Sequence, residues 1–464
     1  MIVFGTDGWR GVIARDFTFE NLGLVAQATA NYVKTLGDNP TVVVGYDTRF
    51  LSAEFAEETA KILAENGVKV FLSDNFASTP QVSFQTKHKG AQLGVVITAS
   101  HNPPKYNGFK LKAHFGGPAV PEQITALEKE LAQVMENPKK LSLKNLDNYT
   151  GNGSITMFDA EADYIAHIRK NVNLEVIQNA GFKVLHDPMH GAGMGIFSKI
   201  LSNVDAIHNE FNPSFGEVDH PEPIAECLQP LMDKVREGGY AVGIATDGDA
   251  DRVGAVDEEG NFVDSHRIFV LLMKYLYEDK GLRGSVAKTV SLSSMVNDYC
   301  TKNNINLIET AVGFKYISAL MSTQDILIGG EESGGLGTSL HIPERDGVFN
   351  GLLLMEMMAV RKKSLKELCD ELDEEFGTHR YRRRDVHVSQ EQKEAIMGAA
   401  AKNPTKLGKY NVIKTDMRDG FKFFVDGGWL LIRASGTEPL IRFYSEAENM
   451  QKVDEILDAG LALK

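Results

Sequence analysis

Six short runs rich in β-branched residues set the terms of the fold: TVVVGYD (41–47), LGVVITAS (93–100), FKVLHDP (182–188), YAVGIATDGD (240–249), DILIGGEES (325–333) and WLLIRASG (429–436). Between them lie amphipathic stretches such as AEFAEETAKILAENG (53–67). Strands that alternate with helices over this spacing build α/β layers around parallel or mixed sheets. At 464 residues the chain is too long for one hydrophobic core, and two to four domains are expected. Polar, glycine-bearing stretches mark the boundaries: DNYTGNGSI near 150, DEEGNF near 260 and the basic stretch HRYRRRD from 379.

Four of the strand-like runs end in a compact polar loop: TASHNPP, TDGDADR, GEESGG and RASGTEP. In α/β sheets, ligands sit in loops beyond the carboxyl ends of strands, so four such loops point to one shared site. Four unrelated turns is the competing reading. The formal net charge of −14 disfavours a nucleic-acid or anionic-membrane partner and leaves small molecules as the expected ligands. Cys227, Cys300 and Cys369 are odd in number and widely spaced, which supports neither a disulfide framework nor a zinc site. The start, MIVFGTDGWRG, lacks the basic and apolar regions of a secretory leader, and no stretch approaches the roughly 18 apolar residues of a membrane span. A cytoplasmic protein is expected.

Ser100 follows a strand-like run within TASHNPP, where Pro103 and Pro104 stiffen the loop. Thr98 and Asn102 stand where GxSxG would need glycines, so a hydrolase elbow is absent. Adjacent side chains on extended backbone point apart, which places His101 poorly as a base for Ser100. A hydroxyl that carries a phosphoryl group remains, as does an ordinary turn or N-cap serine.

In TDGDADR, Asp247 and Asp251 would lie roughly 13 Å apart on an extended strand at about 3.3 Å per residue, too far to share one ion. With the chain curled, and Gly248 and Ala250 as small spacers, three carboxylates can converge on a hard cation such as Mg²⁺. An EF-hand is ruled out because Arg252 occupies the position that needs glycine, after a strand-like AVGIA. Three aspartates beside a phosphoserine need cations, and Arg10, Lys110 and Arg252 are the candidates. The carboxylates of GEESGG suit sugar hydroxyls and repel phosphate, whereas Arg433, Ser435, Gly436 and Thr437 of RASGTEP form a plausible phosphate cradle.

Taken together, these loops make the sequence recognisable. TASHNP, DGDADR, GEESGG and RASGTEP occur in the order seen in the α-D-phosphohexomutase family, with FGTDGWRG at the start and VGFKYI at 312–317. The chain resembles that family along essentially its whole length. The resemblance implies an α/β protein of four domains around a central cleft, the first three of similar mixed α/β topology and the fourth a smaller α+β domain. The boundaries expected are 1–149, 150–256, 257–371 and 372–464.

It further implies Ser100 as phosphoryl carrier, with Arg10, Lys110 and His101 completing the catalytic set. Mg²⁺ would be held by Asp247, Asp249, Asp251 and an oxygen on Ser100. Arg252, Lys315, Glu331, Ser333, Arg433, Ser435, Gly436 and Thr437 would contact a sugar phosphate, with hexose 1,6-bisphosphate as intermediate and activator. Glucose phosphate, with mannose phosphate beside it, is the expected substrate, and a monomer or homodimer the expected assembly. Bifunctional glucose/mannose members commonly resemble GEMSGH and glucosamine members GEQSGH; Glu332 resembles a glucose-type pattern, while Gly335 stands where the family often has histidine. Phosphoglucosamine mutase is the alternative, a phosphatase or a non-catalytic Mg²⁺ or sugar-phosphate binder the alternatives of another class.

Overall fold

The computed structural model describes residues 2–5, 7–434 and 440–463. All six β-branched runs are strands, and amphipathic segments such as Ser52–Glu65 are helices between them. They assemble into four sheets in chain order.

The first sheet has six strands. Leu93–Ile97, Thr41–Tyr46, Lys69–Ser73 and Ile155–Phe158 run parallel, and the antiparallel strands Tyr106–Ala113 and Trp9–Val12 complete the Leu93 side. Five strands make the second sheet, in which Val204–Ala206, Val184–Asp187 and Val242–Thr246 are parallel and Val253–Val256 and Phe262–Val263 turn back. The third repeats the plan with four: Leu307–Thr310, Ser285–Thr289 and Ile326–Gly330 are parallel, and Leu336–Thr338 is antiparallel. The fourth, from Arg380–His387 to Leu440–Ala447, is antiparallel throughout, with the helices Gln390–Ala401 and Met450–Leu461. The first three domains thus share one mixed α/β plan, and the last differs from them.

This topology explains the repeated pattern of strand and polar loop. In each of the first three domains the motif loop joins a parallel strand to the antiparallel strand that turns back beside it. In the fourth, RASGTEP joins two antiparallel neighbours. A short reversal at the carboxyl end of a buried strand exposes polar groups at one edge while the apolar run stays in the core.

The boundaries expected from polar segments are corrected in three places. GNGS is a turn after the short helix Leu146–Gly151, and Ile155–Phe158 returns to pair with Lys69–Ser73, so the first domain extends beyond 149. DEEGNF is a hairpin turn, closed by Gly260 N–H on the Asp257 carbonyl at 2.9 Å, and its second arm still belongs to the second sheet rather than beginning the third domain at 257. The helix Leu365–Phe376 packs into the third domain's core through Leu368 and Leu372, which moves the last boundary beyond 371. RYRRRDVH is no linker: it is the edge strand Arg380–His387, whose Arg382 and Arg384 reach Asp454 at 2.6 and 2.7 Å. A row of charged side chains blunts an open sheet edge.

The domains are joined by polar contacts. Lys112 on the first sheet bonds Glu344 of the third domain at 2.8 Å, with neither side chain exposed. Between the third and fourth domains, Lys422 Nζ donates to the Val290 carbonyl at 2.6 Å and the Val312 N–H to Asp419 at 2.7 Å. Val290, Trp429, Leu431 and Tyr444 close an apolar patch beside them. Among the described residues no helix is long and apolar enough to cross a membrane.

Candidate active site

Ser100 lies in the loop between Leu93–Ile97 and Tyr106–Ala113, and its φ of +55° is left-handed. Such a conformation crowds a residue that has a Cβ, and non-glycine residues held in it cluster at functional sites. The turn carries the Ser100 hydroxyl, buried to 1% exposure, to within 3.1 Å of Asp247 Oδ2 in the second domain. It also corrects the expectation that Ser100 and His101 point apart: the backbone here is not extended, and His101 Nδ1 lies 3.3 Å from Ser100 Oγ. Burial, with Arg252 and Arg10 nearby, holds the His101 imidazole well below its usual range, so it is neutral at pH 7.

Asp247, Asp249 and Asp251 are completely buried, and one oxygen of each lies within 4.8 Å of the others. Curling depends on Ala250, at φ +56°, and on Gly248, where a Cβ would stand 2.4 Å from the Ser100 carbonyl oxygen. Only a glycine allows the two loops to approach this closely. Burial, then Asp251 and Asp249, pushes the Asp247 carboxyl well above its ordinary range. Asp249 moves the other way: Lys110 and the Thr79 hydroxyl outweigh its burial and hold it well below. Oδ1 of Asp249 and Oδ1 of Asp251 are buried without a hydrogen-bond partner. Hard carboxylate oxygens, mutual repulsion and two orphaned acceptors fit a divalent cation such as Mg²⁺.

Cations from three domains surround the triad. Lys110 Nζ reaches Asp249 and Asp7 at 2.8 Å and Asp251 at 3.3 Å. Burial alone would lower its pKa, but these carboxylates outweigh it and raise it, so Lys110 stays protonated. Arg10 lies on the strand beside Lys110, two residues off its register and on the same face, and bonds Asn102 Oδ1 at 2.5 Å. Arg252 bonds Glu222 at 2.7 Å and stands 3.9 Å from Asp247.

The third-domain loop joins through a residue that the sequence motifs do not mark. Arg345 reaches Asp251 at 2.6 Å and Asp7 at 2.7 Å, and stands 3.8 Å from Glu331. Its side chain covers Gly335, where a Cβ would meet Arg345 Cδ at 2.3 Å. The position at which the family often carries histidine is thus overlaid by the methylene stem of an arginine. Glu331 accepts the Gly313 N–H at 2.9 Å, and burial, partly offset by Arg345, pushes it up to about 7. Glu332 accepts the Ser291 hydroxyl. Ser333 and Lys315 are half-buried near this loop, and Lys315 Nζ lies 5.4 Å from the Tyr316 ring centre. Arg433, next to last in the strand Gly428–Ala434, lies 2.9 Å from Asp419, and Ser435, Gly436 and Thr437 fall outside the described residues.

Sequence reasoning missed Arg345, Glu344, Lys112 and Arg49. For Lys112 a signal existed, because FKLKA puts two lysines on one face of a strand whose neighbours are apolar. Arg345 and Arg49 carry no local signal, since a lone arginine in a loop is ordinarily solvated.

Residues 1–138, 162–260 and 264–376 match the families described as Phosphoglucomutase/phosphomannomutase, alpha/beta/alpha domains I, II and III, and 386–462 matches the C-terminal domain. The chain belongs to the α-D-phosphohexomutase family. The chain is 32% identical to a phosphoglucomutase/phosphomannomutase of Thermococcus kodakarensis, over 99% of this chain and 98% of the relative. A phosphoglucosamine mutase of Carboxydothermus hydrogenoformans is 31% identical over 99% and 98%. A Thermus thermophilus crystal structure, provisionally named a phosphomannomutase, superposes with a TM-score of 0.86 at 33% identity, over 99% of this chain and 98% of that one.

Proposed function

We propose that the protein interconverts hexose 1-phosphate and hexose 6-phosphate, with glucose the first substrate and mannose the second, through a phosphoserine at residue 100. The observation that carries this reading is the 3.1 Å approach of the Ser100 hydroxyl to a buried aspartate triad that Lys110 neutralises in part. In the forward step the P–Oγ bond of phosphoserine breaks and a P–O bond to the free sugar hydroxyl forms. The sugar hydroxyl gives up its proton as it attacks and Ser100 Oγ regains one as it leaves, and neutral His101, with Nδ1 3.3 Å from Oγ, is placed to relay the proton at the serine end. Reversal with the bisphosphate in the opposite orientation returns the other phosphate to Ser100.

Lys110, held protonated, supplies fixed positive charge where the phosphoryl oxygens gather charge. Asp247, Asp249 and Asp251 would hold Mg²⁺, which when bound supplies Lewis-acid stabilisation of the transferring group. Glu331 and Ser333 are the acceptors for sugar hydroxyls, Arg252 and Lys315 further substrate contacts, and Arg433 with residues 435–437 the grip on the distant phosphate. A site built of so many buried charges suits a small sugar phosphate.

A coupled assay over glucose, mannose and glucosamine phosphates, with hexose 1,6-bisphosphate added, tests the reading. Turnover on glucose phosphate, loss with a chelator, recovery with Mg²⁺ and phosphate mapped to Ser100 are expected. A Ser100→Ala protein that folds and retains wild-type turnover overturns it, and release of free phosphate in step with turnover would identify a phosphatase instead. The glucosamine arm separates the alternative that the Carboxydothermus relative's name raises.

A further inference from the structure

The chain leaves the strand Thr41–Tyr46 through Asp47, Thr48 and Arg49, beside the strand that carries the Ser100 loop. None of these three residues has a part in the chemistry above. Arg49 is buried, and its guanidinium faces the backbone of that loop. Nη2 donates to the carbonyls of Ser100 at 2.5 Å and Asn102 at 2.6 Å, and Nη1 to those of Pro103 at 2.9 Å and Tyr106 at 3.1 Å. Nε lies 3.1 Å from Asp47 Oδ2, with neither side chain exposed. Asp47 is itself fixed, because its Oδ1 accepts the Ser52 hydroxyl at 2.7 Å and the Arg49 N–H at 3.0 Å.

The same segment is tied to the metal-loop domain. The Thr48 hydroxyl donates to the His190 carbonyl at 2.7 Å, and the Arg49 guanidinium carbon lies 4.9 Å from the centre of the Phe215 ring. His190 and Phe215 have φ of +58° and +57°, so this contact surface, like Ser100 at +55°, is built of left-handed residues that their surroundings must hold in place. A planar fork of donors can bind several carbonyls at fixed angles, which a lysine cannot reproduce.

We infer that Arg49 is a positioning residue for phosphoryl transfer: it holds the left-handed turn at Ser100, and with it the approach of Oγ to Asp247, while touching no substrate. The inference rests on Ser100 being the phosphoryl carrier. Misplacement of a reacting group by about 1 Å costs on the order of a hundredfold in rate, so the loss should appear in the transfer step and leave sugar-phosphate binding intact.

The test measures transfer from glucose 1,6-bisphosphate to Ser100 by rapid quench and intact mass, with kcat, KM and thermal unfolding, in wild type, Arg49→Lys and Asp47→Asn. Arg49→Lys keeps the charge and loses the fork; Asp47→Asn keeps the fork and removes its anionic anchor. Arg49→Lys should slow phosphorylation and kcat by about tenfold to a hundredfold with KM within about twofold of wild type, and Asp47→Asn by a smaller factor in the same step. If Arg49→Lys does not fold, the Asp47→Asn rate decides by the same criterion. Phosphorylation at the wild-type rate in the folded variants, or a change confined to KM, overturns the positioning role and leaves Ser100 as carrier. A wild-type protein that takes no phosphoryl group on Ser100 overturns the carrier reading, and the inference with it.

Discussion

At the scale of single residues, the chemistry-bearing side chains were legible and their supports were not. Ser100 and the three aspartates stand out because a hydroxyl and paired carboxylates are unusual beside a strand that reads as buried. Arg345 and Arg49 are distant in sequence from the groups they serve, and nothing local distinguishes them from solvated arginines. Gly248 lies between the two cases: the sequence marks it as a small spacer, while the structure shows that a Cβ there would stand 2.4 Å from the Ser100 carbonyl and 2.9 Å from Pro221 Cγ. Gly248→Ala should therefore push the metal loop from the serine while all three aspartates remain. Steady-state kinetics should show kcat lowered by about one to two decades at saturating Mg²⁺, with the fold unchanged by circular dichroism.

At the scale of elements, the strands were readable from their β-branched runs, because burial on both faces demands an unbroken apolar segment. RYRRRDVH escaped that test. It is an edge strand with one face toward aspartates on the helix Met450–Leu461, so its pattern is charged. Helix ends also join domains. Asp346 caps the helix Gly347–Arg361 by accepting the Phe349 N–H at 2.9 Å, and it also bonds Tyr164 at 2.8 Å and His341 at 2.9 Å. Asp346→Ala removes the cap and leaves two buried partners unsatisfied, so a loss of about 3 kcal/mol is expected. Asp346→Asn, which preserves the cap, should lose less; urea unfolding of both variants measures the difference.

At the scale of the whole molecule, polar contacts hold the fourth domain against the third. Lys422 is central to that junction: burial, then the charge of Lys288, pulls its pKa from 10.5 down to about 7. Between those values the unfolded chain binds the proton and the folded protein does not, so this group adds stability as pH rises from about 7 to 10.5. Lys422→Met should flatten that rise, as thermal unfolding across the range will show. Arg433 tests the proposed grip of the fourth domain on the distant phosphate. Losing charge-assisted bonds worth about 1.5 to 3 kcal/mol each, Arg433→Ala should lower kcat/KM by about one to two decades or more and release extra hexose 1,6-bisphosphate, measured by product trapping.

The sequence by itself determined the α/β class, the four motif loops, the family and the groups expected to carry chemistry, because each depends on residue types within a few positions of one another. Tertiary structure decided the rest: the left-handed turn that brings His101 to Ser100, the boundaries that fall beyond 149, 256 and 371, the arginine stem over Gly335 and the arginine that grips four backbone carbonyls. The physical reason is charge compensation in a buried site. Carboxylates withdrawn from water must find cations wherever the fold can bring them, and here Arg345 reaches Asp7 across 338 positions of sequence, a distance over which no local pattern carries information.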